Sequence, residues 1–126
     1  MTSFSTLHVC VTCRGSEAVA GEPRPGARLL AAVERRTAET GGGLTIVGVE
    51  CLSNCSRSCS AAVTAPGKWT YVIGNLDPDL HATDILTFAR QHGDHESGLP
   101  VWRERPEHIR KNTIARVPPI SSKEQS

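Results

Sequence analysis

Residues 49–63 read VECLSNCSRSCSAAV, with Cys51, Cys55 and Cys59 spaced four apart. The β-branched run LTIVGVE, residues 44–50, leads into this stretch and reads as a buried strand. AAVTAPGKWTYVIG leads out of it. That segment reads as a hairpin, with strands near 61–65 and 69–73 about a turn at Ala65-Pro66-Gly67. Spacing at i, i+4 and i+8 would align the three cysteines on one face of a helix. Ser and Asn between them, and Gly48 just before, point instead to a loop or a single turn.

Upstream lies a second thiol pair, Cys10 and Cys13 in HVCVTCRG. TLHVCV, residues 6–11, reads as a short buried strand with Cys10 at its end. RGSEAVAGEPRPG is a loop, rich in Gly and Pro. Leu29, Leu30 and Val33 then share one helical face, and Gly41 is a natural stop, which predicts a helix over 24–39 with Pro23 or Pro25 near its first turn. A helix joining two strands predicts that they are parallel. Parallel strands end on the same edge of a sheet, so the loops carrying the two cysteine groups can meet there.

Downstream, DPDLHATDILTFARQHG predicts a second helix. Asp77 or Asp79 would cap it, Ala82, Ile85, Leu86 and Ala89 would line one face, and Gly93 would end it. The expected fold class is α/β: a four-stranded mixed sheet in βα-βββα order with helices packed on it. The expected domain, which carries all five cysteines, covers residues 1–94. Residues 95–120 form a basic, irregular extension packed on it, with Trp102, Ile109 and Ile114 attached to the core. Residues 121–126 are expected to be a disordered tail.

The 126 residues suit one domain, with a core of Leu, Val, Ile and Ala because aromatics make up only 4%. A formal charge of +1 gives no case for nucleic-acid binding by the chain as a whole. No signal peptide and no membrane-spanning run is legible, which predicts a cytoplasmic protein. In that compartment clustered cysteines are more often metal ligands or catalytic thiols than disulfides. No catalytic triad, paired carboxylates or phosphate loop stands out, so no enzyme activity is expected.

Thiolates suit zinc, cuprous copper and iron–sulfur clusters. Only Cys10 and Cys13 have the Cys-x2-Cys spacing of a zinc knuckle; Cys51, Cys55 and Cys59 are more widely spaced. A 2Fe–2S cluster spreads its four ligands over a larger site. Ser53, Asn54, Ser56 and Ser58 leave room for one, and Arg57 would offset its charge. Cys10-x-x-Cys13 also has the spacing of a thiol–disulfide oxidoreductase, a lesser alternative because the next helix begins about ten residues later, which weakens activation of the pair. His8, His81, His92, His95 and His108 are scattered and not expected to bind metal. His8 is expected to turn away from Cys10, and His92 and His95 flank a glycine-containing helix end, where the dipole favours a cation.

HVCVTCRG, PGARLLAAV, ECLSNCSRSCSAAVTAPGKWTYVIGNLDPD and LPVWRERPEHIRKNTIARVPP together resemble the DUF1636 family, over roughly residues 6–119. That family is described as metal-binding and similar to thioredoxin-like 2Fe–2S ferredoxins. The resemblance implies a thioredoxin-like fold, a one-electron carrier and a link to cobalamin biosynthesis or cobalt chelation. CLSNC matches the Cys-Leu-x-x-Cys pair of the broader ferredoxins, so Cys51 and Cys55 carry over as ligands. The broader family separates its first two cysteines by more residues and has Pro where Cys59 stands. The implied ligand set is Cys10, Cys13, Cys51 and Cys55, with Cys59 spare; the alternative exchanges Cys13 for Cys59. Zinc is the alternative metal, in a metal-binding or metal-delivery module. The expected partner is a redox protein docked at the cluster edge or on the basic extension, with no nucleic acid and no membrane. The broader relatives are often homodimers.

Overall fold

A computed structural model describes residues 5–11, 25–39, 44–49 and 59–119. Strand β1, Thr6–Cys10, is followed by helix α1, Pro25–Glu39, and strand β2, Thr45–Val49. A hairpin follows, of β3, Ala61–Thr64, and β4, Thr70–Ile73. Its turn closes with the Lys68 N–H donating to the Ala65 carbonyl at 3.2 Å. Gly67 takes φ +71°, a conformation glycine adopts without cost. Helix α2 then spans Ala82–Asp94.

β1 and β2 pair in parallel, with Thr6 against Thr45 and Cys10 against Val49, as the intervening helix predicts. β3 returns antiparallel on the other side of β1, and β4 pairs antiparallel with β3. Both helices cover the same face. Leu7 and Val9 on β1 share it with Val63 and Ala61, their register partners, and all four are 0% exposed. Tyr71, opposite Val63, meets the Phe88 ring of α2 edge-on at 5.0 Å. Gly48, opposite Val9, faces α1: a Cβ there would lie 2.9 Å from Leu30 Cδ2. The strand is bare at this point so that the helix can approach closely.

The predicted sheet gains a strand. Residues expected to be irregular form a 3-10 turn, Trp102–Glu104, then helix α3, Glu107–Lys111, then strand β5, Thr113–Val117. β5 pairs antiparallel with β4, with a register shift at Val72/Ile73, so the order is β2-β1-β3-β4-β5. TIARV is short and mostly exposed, with no clean alternation for a sequence pattern to detect. It is a strand because the free edge of β4 offers backbone groups that need partners. Ile109 is 0% exposed and anchors α3, as expected of it. Trp102, expected to attach to the core, is 60% exposed.

Two details of α2 also differ from expectation. Asp77 caps the turn before the helix, its Oδ1 accepting from the N–H groups of Asp79 at 2.8 Å and Leu80 at 3.0 Å. The N-cap is His81, which makes no side-chain cap bond. Gly93 is helical, and the chain leaves the helix at His95. The expected tail, 121–126, lies outside the described residues. Among the described residues no helix is long and apolar enough to cross a membrane.

Candidate metal centre

The ends of β1 and β2 and the start of β3 meet at one edge of the sheet. The Val11 N–H donates to the Val49 carbonyl at 2.9 Å, and the Cys10 N–H donates to the Ser60 carbonyl at 3.1 Å. Cys59, just before Ser60, exchanges both backbone hydrogen bonds with Leu76, at 3.2 and 3.0 Å. Cys10 and Cys59 are each 2% exposed. Two of the five sequence-predicted cysteines are therefore brought to one edge and buried there.

Cys13, Cys51 and Cys55 lie outside the described residues, as do Arg57 and the serines around it. Their tethers are nonetheless short. Cys13 follows Val11 by two residues, Cys51 follows Val49 by two, and Cys55 precedes Cys59 by four. A chain spans at most about 3.5 Å per residue. Cys10 lies against Val49 in the parallel register, and neighbouring strands are about 4.8 Å apart. Both cysteine groups are thus anchored to the same edge. Among the described residues alone, no group of three or more His, Cys, Asp or Glu side chains could hold a metal ion. The sequence tethers all five thiols close to this edge, and thiolates are soft ligands that suit an iron–sulfur cluster or zinc.

The register separates Cys10 from Cys59. Cys10 lies opposite Ser60, and residues directly opposite share a face. Cys59 is one residue away from Ser60, so strand alternation directs its side chain to the other face, that of Ala61 and Val63. By the same alternation His8 shares the face of Cys10, contrary to expectation. It is engaged there with Thr64 Oγ1 at 3.0 Å.

Sequence reasoning missed the frame around Cys59. Asn75 takes φ +53°, which asparagine tolerates better than most residues. Its Nδ2 donates to Asn112 Oδ1 at 2.7 Å, and the Gly74 N–H donates to the Asn112 carbonyl at 3.0 Å. This lock turns the chain after β4 so that Leu76 meets Cys59. The one signal in the sequence was Gly74-Asn75 at the end of a strand pattern, a pair that marks a turn.

A family model described as "Protein of unknown function (DUF1636)" matches residues 7–119. The chain belongs to the DUF1636 family. Two solved structures resemble this DUF1636 chain. One is a thioredoxin-like 2Fe-2S ferredoxin from Aquifex aeolicus, with a TM-score of 0.57 and 19% identity over 92% of this chain and 94% of that one. The other is the wild-type thioredoxin-like 2Fe-2S ferredoxin from Aquifex aeolicus, with a TM-score of 0.51 and 19% identity over 89% and 97%. The fold is therefore thioredoxin-like, as the resemblance implied. None of the curated proteins matches the sequence.

The DUF1636 chain keeps a second polar cluster in its interior. His92 is 0% exposed; its Nε2–H donates to the Trp69 carbonyl, and Ser5 Oγ donates to its Nδ1. Lys68 Nζ donates to the Gly93 carbonyl beside it. Burial lowers the His92 pKa from its ordinary value of 6.5; Lys68 and His95 add to this, and the bond to Trp69 opposes it. The preference of a helix end for a cation is therefore opposed at His92 by desolvation. His81 stacks on His108 at 3.6 Å between ring centroids. Burial, then His108, lowers the His81 pKa against the opposing pull of Asp84 and Asp77.

Both histidines bind protons less readily folded than unfolded. Stability is therefore fully present above the unfolded value near 6.5 and falls as pH drops from there through the lower folded values. Each group contributes a slope of up to about 1.4 kcal/mol per pH unit in that window. The urea midpoint is expected to fall between about pH 7.5 and 5.5, and His81→Asn to flatten part of the dependence. An unchanged midpoint over that range would contradict this assignment.

Proposed function

We propose that the chain is a one-electron carrier that binds a 2Fe–2S cluster through Cys10, Cys13, Cys51 and Cys55. The observation that carries the reading is the parallel register of Cys10 with Val49, which anchors the two cysteine groups to one sheet edge. The likeness to two thioredoxin-like 2Fe-2S ferredoxins supports it at the level of fold. When bound, the cluster supplies one reversible electron. The chain's own part is to hold Cys10 away from water and to fix the edge through the Cys59–Leu76 pair.

The Cys-x2-Cys spacing of Cys10 and Cys13 keeps zinc as the second reading. The thiol–disulfide oxidoreductase reading ranks below both: α1 starts at Pro25, twelve residues after Cys13, rather than at the pair, which weakens activation by a helix N-terminus. Protein prepared without oxygen is expected to be brown and to contain about two irons and two acid-labile sulfides per chain. A colourless anaerobic preparation carrying one zinc would establish the second reading instead.

A further inference from the structure

Three guanidinium groups lie over aromatic rings on the side of the molecule built by β4, β5 and the extension. Arg116 lies over Trp69 at 4.9 Å, Arg105 over Tyr71 at 5.3 Å and Arg110 over Trp102 at 4.8 Å. Trp69 and Tyr71 are two apart on one strand face, and Arg116 is the register partner of Tyr71, so these pairs are neighbours. We propose that this arginine–aromatic ridge is a docking surface for an acidic patch of a partner protein.

The charge there is not neutralised from within. Residues 99–120 hold five basic and two acidic side chains, a balance of +3 in a chain of +1, which leaves −2 for the rest. Glu107 is taken up by Lys111 at 3.1 Å, and among the described residues Arg103, Arg110 and Arg116 pair with no carboxylate. The Arg110 Nε is buried and has no acceptor. The rings hold the guanidinium planes in place; Arg105 is also tied through Nε and Nη2 to the Pro100 carbonyl at 2.9 and 2.7 Å, so the Nη groups of Arg110 and the guanidinium of Arg116 are the ones that can bond to carboxylates. That ordering is already present before association, which lowers its cost. Trp102 at 60%, Val101 at 49% and Val117 at 51% exposure add apolar area beside the charges. Tryptophan and arginine together are typical of interface residues that dominate binding energy.

A nucleic acid fits this surface less well. The Trp69 and Tyr71 faces are occupied by guanidinium groups, leaving Trp102 as the ring for a base to stack on. A local charge of +3 neutralises few phosphates. Asn112, after α3, reaches the cysteine edge by accepting from the Gly74 N–H, whereas Trp69 and Arg116 lie toward the other end of β4. The docking does not depend on the electron-carrier reading.

The test is a titration of the 15N-labelled full chain with a deca-glutamate peptide, followed by backbone amide shifts. Shifts are expected at residues 69–72 and 99–117, with affinity falling about tenfold from low to physiological salt. Arg110→Glu and Arg116→Glu are each expected to weaken binding about tenfold, while Arg35→Glu, the same charge change on the exposed face of α1, changes it less than about twofold. Shift mapping on the unsubstituted chain keeps the test valid if a variant misfolds. Shifts spread over the surface, or equal loss in Arg35→Glu, would overturn the proposal. Tighter binding of a ten-residue oligothymidylate than of the peptide would overturn it in favour of a nucleic-acid surface. None of these readouts depends on cluster content.

Discussion

Cys10→Ser, Cys51→Ser and Cys55→Ser are each expected to abolish the visible absorption of anaerobically prepared protein, whereas Cys59→Ser retains it. A 2Fe–2S cluster takes four protein ligands, and the chain has five cysteines. Cys10 is committed by position, buried at the end of β1 against the last residue of β2. Cys59 is equally buried, but the pairing of Cys10 with Ser60 assigns it to the opposite face, in the row of Ala61 and Val63 under the helices. A thiol in that row acts as a small apolar core group. Serine there costs about 1–3 kcal/mol through a buried hydroxyl, so Cys59→Ser should lower the thermal midpoint but keep its iron. Cys13→Ser is the counterpart and should lose the cluster. The reverse pattern, iron lost from Cys59→Ser and kept in Cys13→Ser, would exchange the two in the ligand set.

Gly98→Ala is expected to destabilise the fold by about 2–4 kcal/mol, on the order of 10 °C in thermal midpoint. Gly98 has φ +75°, and a Cβ there would lie 2.7 Å from Lys68 Cβ and 2.9 Å from His92 Nε2. Neither neighbour can yield easily. His92 is held at both ring nitrogens by Ser5 and Trp69, and Lys68 is bound to the Gly93 carbonyl. Gly67→Ala is the internal control: its φ is +71°, but nothing lies within 4 Å of its Cβ position. It should cost only the backbone term, about 1 kcal/mol. Equal losses in the two variants would show that the contact with His92 and Lys68 adds nothing.

What the sequence could show depended on how local the cause was. Apolar β-branched runs specified β1 and β2, the Leu29–Leu30–Val33 face specified α1, and Ala65-Pro66-Gly67 specified the hairpin turn. Each of these follows from neighbours a few residues away. The same reasoning placed Cys10 and Cys59 at one edge, because a helical connection makes β1 and β2 parallel. The extension escaped it. β5 exists because β4 has an open edge, and neither its exposed side chains nor its length announces a strand. Trp102 reads as a core residue by composition, yet its position beyond the sheet leaves it under Arg110 and facing solvent.

His92 marks the boundary most sharply. From the sequence it is one of two histidines beside a helix end, where the dipole favours a charge. In the structure it is enclosed by Ser5 from the start of the described chain, Trp69 from the hairpin and Gly98 from the extension. Those residues are 87, 23 and 6 positions away. The sequence alone determined β1 to β4, α1 and α2, the parallel pairing and the placing of Cys10 and Cys59 at one edge, all consequences of short-range pattern and chain connectivity. The tertiary structure decided which histidines bind protons less readily, which face each described cysteine takes and where the arginines are held. Burial, register and ring contacts arise only when distant segments meet, and no local spacing encodes them.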